Sequence, residues 1–245
     1  MSGSVAPGAA VALTYRLLVR QLVTRGRVLA LLAVGVAVVL VAWAVGAADD
    51  IDDPVEAAVG VIGGLGFTVV VPIVSLVFAS AALGDAREDG TLVYLWLRPL
   101  DRWPVVVGAW LAAVTVSLPL TIVPLAVAAG VSRGGSDLVV ATVIASVVGV
   151  VAYSALFTLL GLLVRNSIVW GLGYVLIWEG VISGFAPSAA KLAIAGYTRS
   201  ILTDMTDVSL ELGDQTLAAG IAVPLVVTVV ALVLASRRLR NMDIA

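Results

Sequence analysis

Residues 84–104 read GDAREDGTLVYLWLRPLDRWP, a short charged island between two long apolar runs. The island holds 7 of the chain's 30 charged side chains, yet its middle is nearly uncharged and carries Leu92, Tyr94, Leu95, Trp96 and Leu97. Its punctuation predicts local structure. The helix entering it continues to about Asp89, where Gly90 allows the positive φ that ends a helix. Thr91 can cap a new helix by accepting a backbone N–H two or three residues on. That helix ends by Arg98, because the residue before Pro99 is pushed away from helical angles. Pro104, after Trp103, suits the first turn of the next helix. The predicted unit is helix, break, short helix, break, the short helix spanning about 10 Å at 1.5 Å per residue.

The runs on either side decide the fold class. Hydrophobic residues make up 61% of the 245-residue chain and charged residues 12%, with a mean hydropathy of +1.14. Those values lie outside the range of soluble domains and predict an all-α, polytopic integral membrane protein. Six runs are long enough for a hydrocarbon core of about 30 Å, near 28–48, 58–83, 104–130, 138–164, 167–186 and 216–236. The backbone must satisfy its own hydrogen bonds in lipid, and the alternating polarity of barrel strands is absent, so these runs are read as helices. The first run is too long for a secretory signal core and is read as a retained span. Pro72, Pro119, Pro124 and Pro224 predict kinks in the second, third and sixth spans. Gly60 with Gly64, and Gly180 with Gly184, have the spacing of close helix packing.

Charge sets the expected orientation. With the N-terminus inside, Arg16, Arg20, Arg25, Arg27, Arg87, Arg98, Arg102, Arg165, Arg237, Arg238 and Arg240 are cytoplasmic, and only Arg133, Lys191 and Arg199 are outside. That distribution predicts two cytoplasmic termini in a cell membrane. The first outer loop is acidic, with Asp49, Asp50, Asp52, Asp53 and Glu56. Residues 10–27 place Arg16, Arg20 and Arg27 at helical spacing on one face, which predicts an amphipathic helix among lipid head groups; a stem continuous with the first span is the alternative. Residues 187–215 are too polar to span and too apolar to float free, so they are expected as an external excursion of one or two short helices on or dipping into the membrane face.

The chain contains neither histidine nor cysteine. Serine–histidine hydrolysis, thiolate chemistry, disulfides and histidine or cysteine metal sites are thereby excluded. No catalytic residue, metal ligand or nucleic-acid-binding motif emerges. Glu179 stands alone as the acidic residue within an expected span, about 18 Å from the inner end of that helix. An intramembrane carboxylate points either to a transport pathway or to a structural hydrogen bond with a neighbouring helix. The sole lysine, Lys191, lies in SAAKLA, so the chain has no phosphate-binding GxxxxGK[ST] loop and is not expected to hydrolyse ATP.

The apolar short helix of the island would be a liability in water. It is either a recognition element docked in a partner's groove or an interfacial helix with Trp96 and Trp103 as belt residues. The run EDGTLVYLWLRPLDRWPVVVG resembles the signature of membrane subunits of type-2 ATP-binding-cassette (ABC) exporters, at Glu88, Gly90, Thr91, Leu92, Pro99, Arg102 and Gly108. The motif covers about 25 residues. It departs from the family where a lysine often follows the last glycine, since Ala109 and Trp110 stand there.

The resemblance implies that Glu88 to Pro99, with Leu95 and Trp96 on its short helix and Arg102 beyond, couples the permease to a separate ATPase subunit. That partner would bind ATP and Mg²⁺, this chain no cofactor. A second permease subunit, identical or a sister, is implied as well. The cargo is unassigned, though lining by Ala, Val, Leu and Gly leans towards an amphipathic or lipid-like molecule. Two alternatives belong to other classes: an ion- or proton-coupled secondary transporter using Glu179, and a non-transporting membrane scaffold.

Overall fold

The computed structural model describes residues 6–48, 51–89, 102–182, 193–208 and 215–242. Gly90, Thr91, Leu92, Leu95, Trp96 and Pro99, and with them the expected coupling helix, lie outside the described residues, as do Lys191 and Gly184.

All regular structure among the described residues is helical. The order is α1 (Pro7–Leu22), α2 (Arg25–Ala47), α3 (Pro54–Glu88), α4 (Arg102–Val131), α5 (Gly135–Leu163), α6 (from Ser167 to Ile182), α7 (Ile194–Thr206) and α8 (Leu217–Arg240). Five of these, α2, α3, α4, α5 and α8, are long and apolar enough to cross a membrane. The chain is a multi-pass helical membrane protein.

α5 is the central helix, packing on α3, α4, α7 and α8. Its buried face includes Ala141, Ala145, Gly149, Ala152, Tyr153 and Phe157. The outer helices expose apolar side chains instead, with Leu29 66% and Trp43 60% exposed on α2 and Val226 61% and Val229 62% on α8. Such faces are unfavourable in water and unremarkable in lipid, where hydrocarbon replaces the missing protein contact.

Several elements start where the sequence says they must. Asp53 caps α3 by accepting the N–H groups of Val55 and Glu56, both at 3.0 Å, with Pro54 in the first turn. The second span is longer than expected, covering Pro54–Glu88 rather than 58–83. Its middle, Ile62–Val70, is wound as a π-helix, and the Val71 N–H reaches back to the Gly66 carbonyl. Gly63, Gly64 and Gly66 weaken α preference there, and Pro72 cannot donate to the turn before it, so the wider winding is accommodated. Pro119 and Pro124 lie inside α4, and Pro224 inside α8, without ending either helix.

The expected interfacial helix over 10–27 is two elements. α1 ends at Leu22, Thr24 is extended at φ −110° and ψ 142°, and α2 begins at Arg25. Arg27 therefore belongs to the first long apolar helix, and only Arg16 and Arg20 share α1. The sequence Val23, Thr24, Arg25, Gly26 explains the break, because β-branched residues and glycine are poor helix interiors, although the Thr24 hydroxyl makes no capping hydrogen bond. On α1, Leu13 (44% exposed) and Leu17 (62%) share the outward side with Arg16 and Arg20, while Ala10 and Leu22 are buried.

The fifth expected span, 167–186, is shorter than its neighbours over its described part. α6 has seven α-helical residues, Ser167–Gly173, followed by the π-wound Tyr174–Ile182. At 1.5 Å per residue that reaches at most about 24 Å, short of a full core. The turn before it is tight, Val164 being extended and Asn166 left-handed at φ 54°, a conformation asparagine tolerates.

α7 falls within the expected external excursion but does not merely rest on a surface. Ile194, Ala195, Gly196, Thr198, Ser200, Ile201, Leu202 and Thr203 are all buried. A Cβ on Gly149, in the middle of α5, would meet Val71 Cγ1 at 3.0 Å and Thr198 Cγ2 at 3.3 Å, so α7 is wedged beside α3 and α5. On its other side, a Cβ on Gly220 of α8 would lie 2.9 Å from the Tyr197 carbonyl oxygen.

The glycines that permit close approach are not those the spacing suggested. Gly60 and Gly64 have nothing within 4 Å of a Cβ, and at Gly180 the nearest atom is 3.5 Å away. Tight contacts are found instead at glycines such as Gly35, against the Pro124 ring at 2.8 Å, Gly161, 2.8 Å from the Ser80 carbonyl oxygen, and Gly108. Spacing along one helix shows where small residues align, and only the neighbouring helix decides whether they are used.

Candidate functional site

Two places carry charged side chains into or against the helical bundle. The first is the end from which residues 90–101 emerge between α3 and α4. Arg27 of α2 donates to Asp85 of α3 at 3.1 Å, with the two side chains about one third exposed. Glu88, at the last position of α3, accepts the Asn166 backbone N–H at 2.8 Å. The exit of α3 is thus tied to the start of α2 and to the turn between α5 and α6.

On the far side of the segment, α4 begins at Arg102, and α1 crosses it at Gly108. A Cβ at Gly108 would lie 2.9 Å from both Thr14 Cβ and the Val11 carbonyl oxygen. Only a glycine lets the two helix backbones come so close. Of the expected coupling residues, Glu88 and Arg102 are described, at the two flanks. Gly108, noted in sequence as the last matching position, proves to be the seat of α1. Arg16 and Arg20 lie exposed on α1 at this same end, and Arg102 and Arg240 line one groove, so the N-terminal helix and the C-terminal end of α8 share the basic end of the bundle.

The second place is Glu179, which is 1% exposed. Its Oε1 accepts the Tyr174 hydroxyl at 2.8 Å and the Ile194 N–H at 3.2 Å, and its Oε2 accepts the Ala195 N–H at 3.1 Å. Those two N–H groups open α7, whose cap residue Ala193 has extended angles and no side-chain acceptor of its own. Glu179 supplies from α6 what Ala193 cannot, placing negative charge at the positive end of the helix.

Aromatic packing orients the donor, since Tyr153 stacks on Phe157 with ring centres 5.8 Å apart and Phe157 meets Tyr174 edge-on at 6.3 Å. Farther along α7, Arg199 Nε donates to the Gly63 carbonyl at 3.0 Å and Nη2 to the Thr68 hydroxyl. Both acceptors belong to the π-wound part of α3. α7 is therefore held at its start by a carboxylate from one π-helix and in its middle by a guanidinium reaching another.

The Tyr174 hydroxyl and the Ile194 and Ala195 N–H groups are all donors, of the kind that stabilises a carboxylate, and two of them belong to the helix it caps. The charge distribution assigned Arg199 to the outer side without a partner in view, and here it is half-buried against α3. The signal that pointed to Glu179 was its isolation in an apolar run. Nothing local distinguished Arg199, because its acceptors lie 131 and 136 residues away.

Among the described residues no group of three or more carboxylates could hold a metal ion. No protein-family model matches the chain, and no curated protein matches it.

Proposed function

We propose that the chain is the membrane-spanning subunit of an ATP-driven ABC exporter, working with a separate ATPase subunit that binds ATP and Mg²⁺. The run from Glu88 to Gly108 carries the proposal. It resembles the coupling signature of type-2 permeases, and it joins two long apolar helices at the basic end of the bundle. In this reading Glu88 to Pro99 docks on the ATPase, with Leu95 and Trp96 as its apolar contacts.

The flanks are suited to passing on a push. Asp85 and Glu88 are tied to Arg27 and Asn166, so movement of α3's exit is felt by α2 and by the α5–α6 turn. The other flank continues into α4 and, at Gly108, bears on α1. A second permease subunit, most simply a second copy, completes the pathway. The basic end then faces the cytoplasm, the membrane is the cell membrane, and the cargo is amphipathic or lipid-like.

A proton-coupled carrier would need a carboxylate free to load and release. Glu179 instead holds two backbone donors and a hydroxyl, so that alternative draws no support from its surroundings.

The test is co-expression with a candidate ABC ATPase subunit from the same genome, followed by affinity purification and ATPase assay in lipid. The two should co-purify, and Leu95→Asp with Trp96→Asp should abolish both co-purification and stimulation while leaving the membrane fold intact, because docking would bury unpaired charge. A wild-type pair that neither co-purifies nor shows stimulated ATPase activity would refute the proposal.

A further inference from the structure

A groove of about 430 Å³ opens between the start of α4 and the end of α8, beside the exposed apolar side chains Val229 and Val233. Arg102 and Arg240 stand at one end of it with Ser236, and among the described residues its lining holds no Asp or Glu. Deeper in, the lining is apolar, with Val107, Val229 and Val233. Trp103, 48% exposed at the mouth, occupies the place of an interfacial belt residue.

The depth of the groove identifies its occupant. Val229 lies eleven residues from Arg240 along α8, which is about 16 Å at 1.5 Å per residue. Half of a hydrocarbon core of about 30 Å is one leaflet. The groove thus runs from two guanidinium groups at head-group level to apolar side chains near the bilayer centre. α8 packs chiefly on α5 and α7 and only lightly on α4, so the cleft is left open by the helix arrangement itself.

We infer that this groove binds one anionic phospholipid of the leaflet at the basic end, its phosphate held by Arg102 and Arg240 and one acyl chain lying along Val107, Val233 and Val229. Basic pockets between membrane helices hold acidic head groups by charge complementarity, and paired arginines match phosphate oxygens through several N–H donors. A free phosphate compound shares the head-group chemistry but gains nothing from the apolar floor. The inference does not depend on ATP coupling.

The experiment is native mass spectrometry of the full chain in detergent, titrated with phosphatidylglycerol or phosphatidylcholine. Wild-type protein should retain one phosphatidylglycerol at least about tenfold more tightly than phosphatidylcholine. Arg102→Gln with Arg240→Gln should lose that preference, and Arg237→Gln with Arg238→Gln, which removes equal charge outside the groove, should keep it. Val233→Trp, which fills the floor and leaves both arginines, should also weaken retention.

Equal retention of the two lipids would overturn the inference. So would unchanged binding in both groove variants, or displacement of the lipid by glycerol phosphate at equal concentration. A Val233→Trp protein that loses a dimer while keeping its lipid would assign the groove to a second copy and refute the lipid site.

Discussion

Glu179 Oε2 lies 3.1 Å from the backbone nitrogen of Ala195, so a carboxylate on one helix caps the next. α7 starts at Ile194 after Ala193, whose side chain cannot accept the first N–H groups of the helix, and the burial of Ile194 and Ala195 keeps water from doing so. Glu179 thereby caps α7 from a neighbouring helix.

Glu179→Gln keeps the shape but loses the charge and one acceptor oxygen. It should destabilise the protein by about 1–3 kcal/mol, the range for a hydrogen bond to a charged group together with a charge at a helix end. Thermal unfolding of the purified chain in detergent measures this. An unchanged midpoint would remove the capping role, and loss of transport without loss of stability would return Glu179 to the pathway.

Tyr174→Phe removes one donor to the same carboxylate and retains the ring against Phe157. Alone it should cost about 1–3 kcal/mol, as for other bonds to charged acceptors. Combined with Glu179→Gln the losses should be non-additive by at least about 0.5 kcal/mol, since the two groups share one interaction. Strict additivity in the unfolding data would show that they act separately.

Gly108→Val and Gly60→Ala should behave oppositely. At Gly108 a side chain meets a backbone carbonyl and Thr14 Cβ at 2.9 Å, an overpacking worth about 1–3 kcal/mol that must lift α1. At Gly60 there is open space, and alanine should be neutral or stabilising by up to about 1 kcal/mol through helix propensity. Proteolysis of α1 together with unfolding midpoints would distinguish them; α1 equally protected in Gly108→Val and wild type would contradict the crossing.

The absence of cysteine makes orientation directly readable. Ser136→Cys and Asn241→Cys are exposed positions at opposite ends of the bundle. In intact cells a membrane-impermeant maleimide should label the first, and the second only after permeabilisation. The reverse pattern would invert the proposed topology.

How much was legible beforehand differs by element. The apolar runs announced α2, α3, α4, α5 and α8 because a membrane helix satisfies its backbone within itself, making length and composition sufficient. Asp53–Pro54 likewise marks the start of α3 from local chemistry alone. The break at Thr24 was written in Val23, Thr24 and Gly26, but the regular spacing of Arg16, Arg20 and Arg27 argued for one helix and obscured it. Gly60 and Gly64 misled for a related reason, since a spacing says nothing of what lies opposite.

By itself, then, the sequence determined that this is a multi-pass helical membrane protein, where its long helices run, and that histidine and cysteine chemistry is absent. Those properties follow from composition and from interactions within a turn or two of chain. Tertiary structure decided the partners of Glu179, the burial of Arg199, the seating of α1 on Gly108 and the groove between Arg102 and Arg240. Each depends on side chains brought together from distant positions, and no local pattern encodes a meeting that packing alone creates.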